Sequence, residues 1–304
     1  MSELTFIDWL RRRTPDDPRV VLGPGDDTAV VRLAADRPCL VTTDMLLDGS
    51  CFVLAEAGAR RVGRKAMAVN LSDIAAMAGK PIAAVVSVGL PRREGLALAQ
   101  DLHAGLRDMA DAFQVAIVGG DTNSWNGPLV ISVTLLGEPA GRGPVTRGGA
   151  RPGDWLLTTG SLGGSILGKH LDFTPRVREA CLLHERADLH AMIDVSDGLA
   201  ADVQHICNES HCGAVLWAER IPISPAAQQM NDQRSPLEHA LGDGEDFELV
   251  FTTTPTEAQR LTAVQPLPGI TLTAIGECVV SGLWLEEHGT RRPLAPLGYV
   301  HDLQ

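Results

Sequence analysis

The sequence predicts an α/β or α+β fold with two halves, and three observations support this fold class. The chain has 304 residues, which is long for a single hydrophobic core. Short apolar stretches of strand length alternate with longer stretches of helical spacing in both halves. A stretch rich in Gly, Pro and Arg at 139–153 predicts a linker. We therefore expect an N-terminal domain over residues 1–138 and a C-terminal domain over residues 150–304.

The elements of the N-terminal half follow from residue type and spacing. Apolar and β-branched runs predict strands at 38–43, 82–90, 115–118 and 129–137. Apolar residues at helical spacing predict helices over 55–77, with Gly58 and Gly63 as weak breakers, and over 94–113. Pro91 is expected to end the strand before the second helix, and Gly119-Gly120 is expected to form a turn.

The C-terminal half repeats this alternation. Strands are predicted at 155–159, 191–195, 214–217 and 249–253, and helices at 164–170, 176–189 and 199–210. The order of the strands within a sheet does not follow from these patterns.

Charge and composition exclude several classes of function. The net charge of −12 argues against a nucleic-acid-binding protein, which needs a basic face for phosphates. The six cysteines form no CxxC pair and are read as free thiols in a reducing compartment. No stretch approaches the roughly 18 apolar residues that span a bilayer. Residues 1–10 lack the order of a signal peptide, so we expect a cytoplasmic protein without a membrane partner.

Aspartates recur at the ends of apolar stretches along the whole chain. Carboxylates brought together at such positions repel one another unless cations lie between them. Mg²⁺ prefers oxygen ligands and also binds nucleotide phosphates. This pattern predicts a metal-dependent phosphoryl-transfer enzyme, and it comprises Asp26, Asp27, Asp44, Asp73, Asp121, Asp194 and Asp197.

Three of these aspartates are more informative than the others. Asp73 lies inside an apolar predicted helix, where a carboxylate is costly unless it is paired or coordinated. Asp194 and Asp197 flank Ser196 at a predicted strand-to-helix turn. Such a turn is explained either by capping of the helix or by phosphate binding to free main-chain N–H groups.

One glycine-rich segment nearly matches a P-loop. Gly163, Gly168 and Lys169 are in register with that motif, but His170 stands where a Ser or Thr is required for Mg²⁺. The segment also lies in the middle of the chain rather than after a first strand. We therefore interpret it as a turn and the start of a helix.

Taken in order, these motifs resemble the thiamine-monophosphate kinase family of the aminoimidazole-ribonucleotide-synthetase-like superfamily. The resemblance implies an N-terminal sheet that forms a barrel in a homodimer, followed by a C-terminal α/β domain. It implies that ATP and several Mg²⁺ ions bind in the cleft between domains. It further implies transfer of the γ-phosphoryl group of ATP to thiamine monophosphate. The matching stretches are 23–31, 42–44, 63–77, 119–122, 147–154, 193–199 and 244–249.

The resemblance also implies roles for individual residues. Metal ligands would be Asp26, Asp27, Thr42, Thr43, Asp44, Asp73, Asp121, Asp194 and Asp197, with Asp44, Asp73, Asp121 and Asp197 central to catalysis. Contacts to ATP would come from Gly120, Asp121, Arg147 and Ser196. The thiamine end would face Asp48, Glu245, Glu248 and Tyr299.

The chain departs from the family pattern at two positions. Cys51 stands where the family has a histidine that meets the acceptor, and His103 stands where an aromatic residue lies near the adenine. The metal-binding pattern is intact, so the departures concern the acceptor. Two alternatives therefore stay open. One is a related superfamily enzyme acting on another small phosphorylated acceptor, and the other is a nucleotide-binding homologue without activity.

Overall fold

The computed structural model describes residues 20–22, 26–34, 37–92, 95–295 and 297–299. Residues 1–10, which are not expected to form a signal peptide, lie outside the described residues. So do residues 23–25, which begin the first matching motif, and residue 94, the expected first residue of the second helix. Within the described ranges, no helix combines the length and apolar character needed to cross a membrane.

The N-terminal half forms a six-stranded sheet in the order β1-β2-β3-β6-β4-β5. Neighbouring strands are antiparallel except β4 and β5, which run parallel. The strands are β1 Val20–Leu22, β2 Ala29–Ala34, β3 Arg37–Leu47, β4 Gly79–Pro91, β5 Ala116–Trp125 and β6 Val130–Pro139. The helices are α1 Leu54–Ala57, α2 Ala59–Ala76 and α3 Gly95–Ala112.

The C-terminal half forms a seven-stranded sheet in the order β13-β12-β9-β11-β7-β10-β8. Neighbouring strands in this sheet are antiparallel except β12 and β9, which run parallel. The strands are β7 Trp155–Thr159, β8 Ala191–Asp194, β9 Gly213–Trp217, β10 Leu249–Thr253, β11 Leu272–Val279, β12 Leu283–Glu287 and β13 Thr290–Pro293. The helices are α4 Lys169–Asp172, α5 Val177–Arg186, α6 Leu199–Ser210, α7 Pro225–Gln229, α8 Pro236–Gly242 and α9 Pro255–Val264.

Helix α2 lies at the centre of the molecule because it is apolar on nearly every side. From Val62 to Ala76 only Arg64 and Asp73 are not buried. One continuous core joins α2 to Leu135 of the first sheet and Phe251 of the second. Polar side chains on this helix are therefore held at the junction of the two halves.

Two glycines allow α2 and α3 to cross in close contact. A Cβ atom at Gly63 would lie 2.0 Å from the Leu102 carbonyl oxygen, and one at Gly105 would lie 1.8 Å from the Arg60 carbonyl oxygen. The expectation that Gly63 weakens the helix is therefore wrong, since it is the crossing point. Gly58 does interrupt the predicted 55–77 helix, because it separates α1 from α2.

The two-part mixed α and β class is confirmed, with mostly antiparallel sheets. The expected turn at Gly119-Gly120 is wrong, because β5 continues through both glycines to Trp125. Gly120 pairs with Val86 of the parallel neighbour β4, and a Cβ atom there would lie 1.8 Å from the Val86 carbonyl oxygen. Glycine at this position reflects a close main-chain approach rather than a change in chain direction.

Candidate functional site

Strand β3 and helix α2 bring the first pair of acidic side chains together. Side chains alternate along a strand, so Thr42 and Asp44 face α2 while Thr43 faces away. The Thr42 hydroxyl donates to Oδ2 of Asp73 at 2.5 Å. The Asp44 main-chain N–H donates to Oδ1 of Asn70 at 3.2 Å, and the Asp44 carboxylate is close enough to Asp73 for its charge to raise the pKa of Asp73. The buried polar positions of the apolar helix thus converge on the end of β3.

Three carboxylates from distant parts of the sequence form a compact group. Asp27, Asp73 and Asp194 each offer an oxygen atom, and these atoms lie within 4.8 Å of one another. Asp27 lies just before β2, and Asp194 ends β8 of the second sheet. The Ser72 hydroxyl of α2 donates to Oδ2 of Asp194, which links the two halves at this point.

The electrostatics of this group fit a divalent cation. Burial raises the pKa of Asp44 to about 6, and the nearby Asp27 carboxylate adds to the rise. Burial, followed by the charges of Asp44, Asp194 and Asp27, raises the pKa of Asp73 well above its ordinary value. Among the described residues, Oδ2 of Asp44 is buried without a hydrogen-bond partner. Oxygen donors with unbalanced negative charge are the ligand set that Mg²⁺ requires.

Arg147 fixes the first acidic pair. Its guanidinium binds Asp27 through two hydrogen bonds, from Nε at 2.9 Å and from Nη2 at 2.7 Å. Its main-chain N–H donates to Oδ2 of Asp26 at 3.0 Å. Burial, together with the charge of Asp27, raises the pKa of Asp26 to about 7. Arg147 therefore orients these carboxylates, and its contact with ATP stays a prediction.

The start of α6 contains an acidic residue that the sequence reasoning missed. Asp202 is buried, and its Oδ2 accepts the main-chain N–H groups of Asp197 at 3.2 Å and Gly198 at 3.0 Å. Of the two explanations offered for this turn, capping therefore describes the N–H groups of Asp197 and Gly198, which bond to Asp202. Burial, then the charges of Asp197 and Asp194, raises the pKa of Asp202 well above its ordinary value. An acidic residue in the first turn of α6 was the available signal.

Several predicted ligands are not brought to this group within one chain. Thr43 lies on the opposite face of β3, where its hydroxyl donates to the Val133 carbonyl oxygen at 3.1 Å. Asp121 lies exposed on the edge strand β5, next to Gly120. Asp44 pairs with Val133, Val133 with Val86 and Val86 with Gly120. Three strand spacings therefore separate Asp44 from Gly120, which is about 14 Å. His103 lies exposed on α3.

The predicted acceptor residues Cys51 and Glu245 are joined through a lysine that the sequence reasoning did not select. Lys65 of α2 is fully buried, and its Nζ donates to the Cys51 carbonyl oxygen at 2.7 Å and to Oε1 of Glu245 at 2.6 Å. A lysine among the apolar residues of a buried helix was the signal that could have identified it. Asp48 accepts the main-chain N–H of Leu54 at 2.9 Å and so fixes the turn that carries Cys51.

The remaining acceptor candidates differ in their surroundings. Glu248 is buried, and its carboxylate binds Arg176 at 2.6 and 2.8 Å, Lys169 at 3.0 Å and the Thr159 hydroxyl at 2.7 Å. All of these donors come from the protein, so Glu245 is the better candidate of the two. Tyr299 is exposed, and its main-chain N–H donates to the Asp197 carbonyl oxygen at 3.0 Å. The C-terminal segment therefore passes beside the turn at the start of α6.

The segment resembling a P-loop forms an ion cluster instead. Residues Ser165–Leu167 form a 3-10 turn, and α4 starts at Lys169. The Lys169 Nζ donates to the Ser161 carbonyl oxygen at 3.1 Å and to Glu248. This arrangement agrees with a turn and a helix start, since the lysine already has protein partners.

Similarity to known proteins extends over both halves of the chain. Residues 25–138 match the family described as AIR synthase related protein, N-terminal domain. Residues 150–283 match the family described as AIR synthase related protein, C-terminal domain. The chain is 42% identical to a thiamine-monophosphate kinase from Rhodopirellula baltica, over 98% of this chain and 97% of the relative. It is 32% identical to the enzyme of that name from Escherichia coli K12, over 93% of this chain and 92% of the relative.

Solved structures give the same result. A thiamine-monophosphate kinase from Stenotrophomonas maltophilia K279a aligns with a TM-score of 0.75 at 32% identity, covering 95% of this chain and 98% of the other. AaThiL complexed with AMPPCP and TMP aligns with a TM-score of 0.84 at 28% identity, covering 99% of this chain and 97% of the other. The two sheets and their connections thus have solved counterparts over nearly their whole length.

Proposed function

Because the chain belongs to the thiamine-monophosphate kinase family of AIR synthase related proteins, we propose that it transfers the γ-phosphoryl group of ATP to thiamine monophosphate, giving thiamine diphosphate. The observation that carries this proposal is the meeting of Asp27, Asp73 and Asp194 from both halves of the molecule. Phosphoryl transfer depends on positioning and charge neutralisation, and such a group of carboxylates is suited to hold the metal for that purpose.

We propose that Mg²⁺ is the metal, held by Asp27, Asp44, Asp73 and Asp194. Bound there, it would neutralise charge on the β- and γ-phosphates of ATP. Arg147 holds Asp27 in place through its two hydrogen bonds. The phosphate of the acceptor is already an anion, so the reaction needs no strong general base. The chain's main contribution is therefore to fix two anionic phosphate groups beside each other.

We also propose a homodimer formed through the outer face of the first sheet. Met45, Val85 and Val118 are 60%, 42% and 64% exposed on β3, β4 and β5, which is unusual for large apolar side chains on a sheet. Asp121 lies on β5, the strand that carries Val118, and is distant from Asp44 of its own chain. We therefore propose that Asp121 and Gly120 serve the site of the second copy. Sedimentation equilibrium should give twice the chain mass, and Val85→Glu should lower it towards the monomer.

Two further proposals concern organisation and location. We propose that the chain divides into domains at 1–138 and 150–304, since the first sheet ends at Pro139 and the second begins at Trp155. We propose a cytoplasmic location, since the six cysteines are free thiols, as expected in a reducing compartment.

A second candidate function is phosphorylation of another small phosphorylated acceptor, which Cys51 favours because the family has a histidine there. The test is ADP release with thiamine monophosphate and with a panel of phosphorylated metabolites, each at saturating ATP and Mg²⁺. The proposal expects the highest turnover with thiamine monophosphate. Higher turnover with another acceptor would support the second candidate, and no turnover despite ATP binding would support an inactive homologue.

A further inference from the structure

A buried lysine joins the parts of the molecule that surround the acceptor side of the site. Lys65 is fully buried in α2, and its ammonium group has two partners at hydrogen-bond distance. Burial of an ammonium group is costly unless strong acceptors compensate for the lost water. Charged hydrogen bonds to Glu245 and to the main-chain carbonyl of Cys51 provide that compensation. The lysine is thus held in one position by groups from both halves.

The loop that carries Glu245 is itself tightly placed. It connects α8 to β10, and Glu245 adopts a φ of 63°, in the left-handed region that residues other than glycine rarely adopt. The Glu245 main-chain N–H donates to the Ser196 carbonyl oxygen at 2.7 Å. A Cβ atom at the preceding Gly244 would lie 2.6 Å from that same oxygen. The loop therefore packs directly against the turn between Asp194 and Asp197.

The Glu245 carboxylate is only partly used by these contacts. Its Oε1 binds Lys65, whereas among the described residues Oε2 has no hydrogen-bond or ion-pair partner. The side chain is 34% exposed, in contrast to the fully buried lysine. A fixed, partly exposed carboxylate is suited to a cationic ring, and thiamine monophosphate carries a positively charged thiazolium.

We propose that Lys65 is a positioning residue for the acceptor, which holds the Glu245 carboxylate towards the thiazolium and fixes the Cys51 turn through its carbonyl. This inference rests on the proposed function. It also explains how the turn keeps its place with cysteine at position 51, because Lys65 binds the main chain there and not the side chain. Lys65 is proposed to act on the acceptor through Glu245 and the Cys51 turn, and not through the transferred group.

The test is steady-state kinetics of the full chain with thiamine monophosphate and ATP varied in turn. Lys65→Met should raise KM for thiamine monophosphate about tenfold or more, the loss of one charge-assisted contact, while KM for ATP changes less than about twofold. Lys80→Met, at an exposed lysine, is the matched control and should behave as wild type. Should Lys65→Met fail to fold, Lys65→Gln keeps a donor for the Cys51 carbonyl and should show the same selective rise.

A double variant separates positioning from general support of the fold. Because part of the effect of Lys65 passes through Glu245, Lys65→Met should raise the acceptor KM by a clearly smaller factor in the Glu245→Gln background than in the wild type. Equal losses for both substrates, an unchanged acceptor KM or additive effects in the double variant would overturn the inference alone. A wild-type protein that does not use thiamine monophosphate would overturn the proposed function as well, so the two failures are distinguishable.

Discussion

Replacing Asp73 with asparagine should stabilise the metal-free protein and abolish its Mg²⁺-dependent binding of ATP. Asp73 is surrounded by Asp27, Asp44 and Asp194, and burial together with these charges raises its pKa well above the ordinary value. Asparagine has the same size and can still accept the hydrogen bond from Thr42, but it carries no charge. The substitution therefore removes repulsion from the fold and a ligand from the metal site.

The magnitude can be estimated from the neighbouring carboxylate. The pKa of Asp44 rises from 3.8 to about 6, mainly through burial. This rise corresponds to roughly 3 kcal/mol of unfavourable free energy for the charged form of Asp44. Because Asp73 shares this environment, its neutralisation should raise the free energy of unfolding by about 1–3 kcal/mol. The melting temperature in EDTA should rise by at least about 2 °C.

The pH dependence has a definite sign. A carboxyl group whose pKa is raised by folding binds more protons in the native state than in the unfolded chain. The metal-free wild type should therefore lose stability as pH rises from about 4 to about 7, the range set by Asp44 and Asp26. Above that range this contribution is constant. Asp73→Asn should show a smaller loss over the same range.

The assay is thermal unfolding in EDTA at pH 5 and pH 8, followed by addition of Mg²⁺ and a non-hydrolysable ATP analogue. Asp101→Asn, at an exposed carboxylate on α3, is the matched control and should follow the wild type. A melting temperature of Asp73→Asn no higher than that of the wild type in EDTA would show that the charge of Asp73 does not destabilise the fold. Equal stabilisation of the variant and the wild type by Mg²⁺ and the analogue would show that Asp73 is not a metal ligand.

Three further predictions follow from the same structure. Lys169→Ala should lower the free energy of unfolding by about 1–3 kcal/mol, because Lys169 binds the buried Glu248. Its turnover should change by only a small factor, and a thousandfold loss of turnover would instead support a P-loop. Cys51→His should raise the affinity for thiamine monophosphate roughly tenfold to hundredfold, because the native thiol lacks a histidine contact of about 1.5–3 kcal/mol. The measurement is acceptor-dependent ADP release, and strong native activity would contradict this prediction. Mixing the inactive variants Asp121→Asn and Asp73→Asn and letting their subunits exchange should restore part of the activity, because one site of each mixed dimer would be intact. No recovery despite exchange would contradict the action of Asp121 at the site of the second copy.

The sequence predicted the elements whose patterns are local. Strands β7 and β10 and helix α6 were expected at their observed bounds, because apolar runs there are bounded by clear breaks. The course of β5 was not predictable, because Gly120 is required by close contact with β4, a strand that is distant in sequence. Strand order likewise depends on pairing between distant segments, which periodicity does not encode.

The candidate site was predictable only in part, for a similar reason. The aspartates at strand ends were visible as residue types, and the structure brings Asp27, Asp73 and Asp194 together. Asp202 was missed because its partners are main-chain N–H groups of the preceding turn. Lys65 was missed because its partners lie on other segments of the chain. Such roles are defined by folded neighbours rather than by local pattern.

Direct phosphoryl transfer to thiamine monophosphate is tested by product analysis with ATP labelled with ¹⁸O in the γ-phosphoryl group, thiamine monophosphate and Mg²⁺. We expect thiamine diphosphate that carries the labelled phosphoryl group in amounts equal to the ADP released, with neither product formed by Asp73→Asn. Release of labelled inorganic phosphate without labelled thiamine diphosphate would contradict direct transfer to this acceptor.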